Sequence, residues 1–170
     1  DYAENPDKTS LKNVINYASN KEKTDNELFV TSINCEVERA YEMMTETKRQ
    51  FGKKDKVVAY HGYQSFKDGE VTPEECHAIG VETAKRLWGD RYEVIVTTHL
   101  NTKTHLHNHF VVSAYDFETG IKLHNNKFYL ADLRKRSDEI CQAHGLSTLK
   151  EYDPRKKSQR LGPKEYRAAE

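Results

Sequence analysis

Long apolar runs are missing from this chain. No stretch approaches the roughly 20 residues that a membrane-crossing helix needs, and the start lacks the charged, apolar and small-residue segments of a secretory signal. A soluble, cytoplasmic chain with no membrane partner is the expectation. Cysteine is scarce as well: Cys35, Cys76 and Cys141 are odd in number and form no Cys-x-x-Cys pair, which argues against a disulfide framework and a thiolate zinc site. They read as reduced, buried thiols. An excess of one charge is also absent, since 27 Lys and Arg balance 27 Asp and Glu. Any attraction for nucleic acid must therefore come from local patches rather than from the whole molecule. At 170 residues the chain can bury one proper core and is too short for two comfortable ones. Asp1 is not an initiator residue, so sequence upstream of it is expected.

What is abundant is periodic pattern. Leu11, Val14, Ile15 and Ala18 mark a helical face with Tyr17 at its edge, and Leu28 to Ile33 reads as a strand. Val37, Ala40, Tyr41, Met44, Lys48 and Phe51 keep helical spacing up to Gly52. Val57 to Phe66 is strand-like, and Thr72-Pro73-Glu74-Glu75 carries the elements of a capping box ahead of Ile79, Ala84, Leu87 and Trp88. Tyr92 to Thr98 is a strand, Glu118-Thr119-Gly120 turns the chain toward Ile121-Lys122-Leu123, and Leu130, Leu133, Ser137, Ile140, Cys141 and His144 form a last helical face closed by Gly145. Strands joined by hairpins and separated by helices predict an α+β fold, a central, mainly antiparallel sheet with flanking helices.

Histidine is concentrated. Four of the eight, His99, His105, His107 and His109, fall between residues 99 and 109. The last three alternate and run into Phe110, Val111 and Val112, so in a strand they point to one side of the sheet. His99 ends the preceding strand, and a tight return sets it beside His107 and His109. Three neutral imidazoles can hold a first-row ion and leave positions open for a substrate oxygen; which three of the four is left open by the spacing. His61 lies on a strand where it either approaches this site or packs, while His77, His124 and His144 fit ordinary helix or loop positions. Ten tyrosines supply possible nucleophiles for phosphoryl transfer at such an ion. The pattern Tyr-Ala-x-Asn-x-x-Lys-Thr occurs twice, at Tyr2 and at Tyr17.

Together these pieces resemble the relaxases, the plasmid and transposon mobilisation nucleases of the MOB-P-like, His-hydrophobic-His endonuclease group. The resemblance rests on Tyr-x-x-Asn-x-x-Lys-Thr, Ala59-Tyr60-His61-Gly62-Tyr63-Gln64-Ser65-Phe66, Thr98-His99 with His105-Leu106-His107-Asn108-His109, and Arg134-x-x-Ser137-Asp138-x-x-Cys141 with Gly145-Leu146-Ser147, in family order over most of residues 1–149. It implies a metal-dependent DNA-nicking domain over residues 1–150, whose first strand lies upstream of Asp1, followed by a basic extension over 151–170. It implies a divalent ion, Mn²⁺ or Mg²⁺, on His99, His107 and His109, with His105 assisting or substituting. A tyrosine, Tyr17 or else Tyr2, attacks one phosphodiester of single-stranded DNA at an origin of transfer and stays joined to the 5′ phosphate. Accessory mobilisation proteins are implied as partners. Relatives often carry Asn after the histidine strand, where this chain has Ser113. The alternatives are a phosphoesterase using activated water and a non-cleaving module that binds single-stranded DNA.

Overall fold

The computed structural model describes residues 28–99 and 106–149, the side chains of Leu28 and His99 excepted. Four strands form one sheet: β1 (Leu28–Ile33), β2 (Ala59–Ser65), β3 (Val94–His99) and β4 (His107–Ser113), in the order β1-β3-β4-β2 with every pairing antiparallel. Among the described residues three helices flank it: α1 (Ala40–Gln50), entered through a 3-10 turn at Val37–Arg39, α2 (Pro73–Trp88) and α3 (Lys127–Ala143). This is the α+β arrangement that the sequence predicts. The expected helix around residues 11–18, with Tyr2, Tyr17, His105 and the basic extension, lies outside the described residues.

Local chemistry sets the helix starts. The Thr72 hydroxyl accepts from the Glu75 backbone N–H at 3.2 Å, and Glu75 Oε2 accepts from the Thr72 N–H at 2.8 Å. Such a cap contributes about 1 kcal/mol. At α3, Asn126 Oδ1 accepts from the N–H groups of Phe128 and Tyr129. The inner stripe of α3 begins at Tyr129, whose hydroxyl accepts a hydrogen bond from Trp88 Nε1 at 3.0 Å. Leu130, expected on that stripe, is 43% exposed instead, because the stripe runs through Tyr129, Leu133, Ile140 and Cys141.

The expected hairpin after β4 is a single bridge, Tyr115↔Lys122, rather than a strand. Asp116 Oδ1 accepts from the N–H groups of Glu118 and Thr119, Gly120 takes φ +67°, and Leu123, whose N–H donates to the Ala114 carbonyl at 2.9 Å, then turns into the core at 8% exposure. Gly120 is needed twice over, since its positive φ disfavours a side chain and a Cβ there would lie 2.3 Å from the Phe51 ring.

The two faces of the sheet are covered differently. On one, α2 and α3 pack Ala84, Trp88, Tyr129 and Leu133 against Val94, Val96, Phe110 and Val112, and each buried aliphatic of this kind contributes about 1.5–3 kcal/mol. On the other, α1 sets Ala40 and Met44 on Ala59, Ile95 and Val111. Those residues occupy only one end of that face. Among the described residues, no helix is long and apolar enough to cross a membrane.

Candidate active site

The end of the face that α1 leaves is where the histidines stand. Register fixes this: Thr97 pairs with His109 and Thr98 with Asn108, so one further step sets His99 opposite His107. On the far side of β4, Tyr63 pairs with His109, His61 with Val111 and Ser65 with His107. Directly opposed residues share a face, so His61, Tyr63, His107 and His109 all belong to one side of two adjacent strands, with the backbone of His99 beside them on β3.

Two of the expected ligands have described side chains, and they are together. The rings of His107 and His109 are 4.7 Å apart between centroids. His109 is also stacked on His61 at 5.2 Å and 16°, and His61 Nε2 lies 3.0 Å from His109 Nδ1. Burial pushes the His61 imidazolium pKa down, favouring the neutral ring. Among the described residues no group of three His, Cys, Asp or Glu side chains gathers around a metal position. The side chain of His99 and the whole of His105 lie outside that set. The described residues fit an ion in having two adjacent imidazoles, one of them with Nδ1 engaged by a neighbour.

Behind this face, on the side covered by α2 and α3, a chain of buried polar groups underlies the histidine strand. Asn108, fully buried between the two histidines in sequence, receives a 2.6 Å hydrogen bond from the Thr98 hydroxyl on Oδ1. Its Nδ2 donates to Gln64 Oε1 at 3.0 Å and to the Cys76 carbonyl at 2.8 Å. Gln64 Nε2 continues to the hydroxyls of Thr83 at 3.0 Å and Ser137 at 2.9 Å. At the other end, His77 Nδ1 lies 2.7 Å from the Thr98 hydroxyl and His77 Nε2 lies 2.7 Å from that of Thr31; burial also pushes the His77 pKa down. Strands β1, β3, β4 and β2 are thereby tied to α2 and α3 at the level of His107 and His109. A fully satisfied buried network of this kind fixes one register and one orientation.

His77, read from the sequence as an ordinary helix residue, is thus a cross-link under the site. His61 stands on the histidine face itself, beside His109. The signal for His61 was parity, because it falls on the same side of β2 as Tyr63. Nothing local announced Asn108 as a hub. Ser113 is buried at the far end of β4, where its hydroxyl donates to the Tyr115 carbonyl at 3.0 Å, away from the histidines. His124 is exposed, and His144 Nε2 pairs with Glu82 Oε2 at 2.8 Å across α2 and α3, as expected of ordinary positions.

Comparison with known proteins shows the family. The family model described as "Relaxase: MobA/VirD2-like, nuclease domain" matches residues 5–146. Proteins called rlx from Staphylococcus aureus are similar, one 39% identical over 142 residues, covering 84% of this chain and 41% of the relative, another 39% identical over 138 residues, covering 81% and 42%. The group II intron-interrupted relaxase LtrB of Lactococcus lactis subsp. cremoris is 29% identical over 130 residues, 70% of this chain and 23% of that protein. The chain therefore spans about two fifths of the length of the rlx relatives it matches. No solved structure matches. With the family's nuclease domain matched along most of its length, the chain belongs to the MobA/VirD2-like relaxases.

Proposed function

We propose that this chain nicks one strand of DNA at an origin of transfer, by attack of a tyrosine on a phosphodiester, for the mobilisation of a plasmid or transposon. The observation that carries the reading is the gathering of His61, His107 and His109 on one sheet face, at the strand end where the backbone of His99 also lies, in a chain of the relaxase family.

His107, His109 and His99, with His105 as the substitute, would hold a divalent ion, Mn²⁺ or Mg²⁺. Such an ion supplies charge stabilisation to a phosphoryl oxygen and leaves open positions for the oxygen donors it favours. The protein's part begins with His109. To offer Nε2 to an ion as a neutral ring it carries its proton on Nδ1, which then donates to His61 Nε2. His61 in turn keeps its own proton on Nδ1. The ring of His109 is held in one orientation by that bond and by Tyr63 and His107 on either side.

The nucleophile in this reading is Tyr17, with Tyr2 as the other candidate. Its phenolic oxygen forms the new bond to phosphorus as the bond to the 3′ oxygen breaks. The phenolic proton leaves to a base and the departing oxygen is protonated to a 3′ hydroxyl. One phosphodiester is exchanged for another, so the bond energy is retained and the strand can be rejoined. Accessory mobilisation proteins would deliver the DNA.

The test is cleavage of a labelled single strand carrying the origin, in Mn²⁺ or Mg²⁺. Wild-type protein cuts at one position, and His109→Ala and His107→Ala fall by at least about a hundredfold, the scale on which a lost electrostatic stabiliser acts. Undiminished cutting by both variants removes the histidine face from the reaction.

A further inference from the structure

Tyr63 is a large aromatic residue in mid-strand that is 59% exposed. Its neighbours in β2 are unlike it: Gln64 is buried and tied into the polar network, and Gly62 adds no bulk beside it. The residue is more than half exposed, yet its ring has close neighbours. It stands edge-on to His61 at 4.4 Å and 68°, and to His109 at 4.8 Å and 62°. Among the described residues β2 is an edge strand of the sheet, so the ring lies at the margin of the histidine face.

We infer that Tyr63 is a stacking platform for a base of single-stranded DNA next to the phosphate held at the histidines, an inference that rests on the function proposed above. Three observations converge on a nucleobase rather than another occupant. The exposed surface is one flat ring, suited to a flat partner. It is backed by two imidazoles on a backbone fixed by antiparallel pairing, so stacking costs little ordering of the protein. It pairs in register with His109, so a base from the nucleotide whose phosphate meets that histidine, or from the next one, falls within reach. Stacking of this kind accepts any base, because each has a π face. It would therefore hold the strand in place, and the choice of sequence would lie elsewhere.

The experiment is fluorescence anisotropy with a labelled oligothymidylate of about 20 nucleotides, long enough to span a single-strand groove, using wild type, Tyr63→Ala, Tyr63→Phe and Tyr63→Trp. The alanine variant should bind on the order of tenfold more weakly, and the phenylalanine and tryptophan variants should stay close to wild type. An oligonucleotide with 5-iodouracil should photo-crosslink to Tyr63 in the wild-type protein, a readout that does not depend on any variant folding. Unchanged binding by the folded alanine variant overturns the inference. So does a loss in the phenylalanine variant equal to that in alanine, or crosslinking that avoids Tyr63. If wild type fails to bind this oligonucleotide the platform is overturned as well; if it also leaves origin DNA uncut, the proposed function falls with it.

Discussion

Gly80 on α2 faces Asn108 on β4 so closely that a Cβ at Gly80 would lie 2.4 Å from the Asn108 Nδ2. The helix carries a glycine there because the sheet presents a buried amide. Gly80→Ala must push Asn108 off its partners or move α2 away, so the expected loss is roughly 1–3 kcal/mol. Asn108→Ala leaves the Thr98 hydroxyl, Gln64 and the Cys76 carbonyl short of a partner and costs about 3 kcal/mol. In the double variant the added methyl has room, so the two losses should sum to more than is observed. Urea unfolding of the four proteins checks this; strict additivity would mean that the two residues do not act through each other.

His61 should be felt in metal affinity before it is felt in folding. His61→Phe keeps a ring beside His109 but removes the ring nitrogen that lies 3.0 Å from Nδ1. Calorimetric titration with Mn²⁺ should show affinity lower by about tenfold or more, the usual cost of a lost partner to a metal-binding histidine. Equal affinity in the variant would make His61 a packing residue only.

Asp55 predicts a specific acid sensitivity. Burial pushes its pKa up, but hydrogen bonds from Tyr115 and Lys122, with the charge of Lys122, outweigh that and hold it at about 2. A carboxyl depressed from its ordinary value of 3.8 adds stability that is fully present above that value and is lost as pH falls toward 2. Asp55 is 39% exposed, so solvent screening keeps the effect modest. Thermal unfolding of Asp55→Asn should therefore show a smaller fall in midpoint than wild type between about pH 4 and pH 2. Parallel curves would show that Asp55 does not contribute to the acid loss.

The sequence carried the elements well where the signal was local. The capping box at Thr72, the turn at Gly120 and the alternation of His107 and His109 are written within a few residues, and each takes the expected form. It carried less where the cause lies across the fold. His77 contacts Thr31 and Thr98 from 46 and 21 positions away, and Gln64 meets Ser137 over 73; no window along the chain contains both ends of such a bond. Leu130 was misplaced for a related reason. Tyr129 and Leu130 both suit an apolar stripe, and the position of the Trp88 indole decides between them. His61 lies between these cases, since parity put it on the right face and only the pairing of β2 with β4 put it beside His109.

The most direct test of the account is whether a tyrosine of this chain becomes joined to DNA. Wild-type protein incubated with Mn²⁺ and an origin-bearing single strand should give a species that survives denaturing electrophoresis, with the 5′ phosphate of the cut strand on one tyrosine-containing peptide by mass spectrometry. Tyr17→Phe should abolish it; persistence in that variant and loss in Tyr2→Phe would transfer the role to Tyr2. Cleavage that releases a free 5′ phosphate, with no covalent species from wild type, would contradict the account and assign the histidine face to hydrolysis by water.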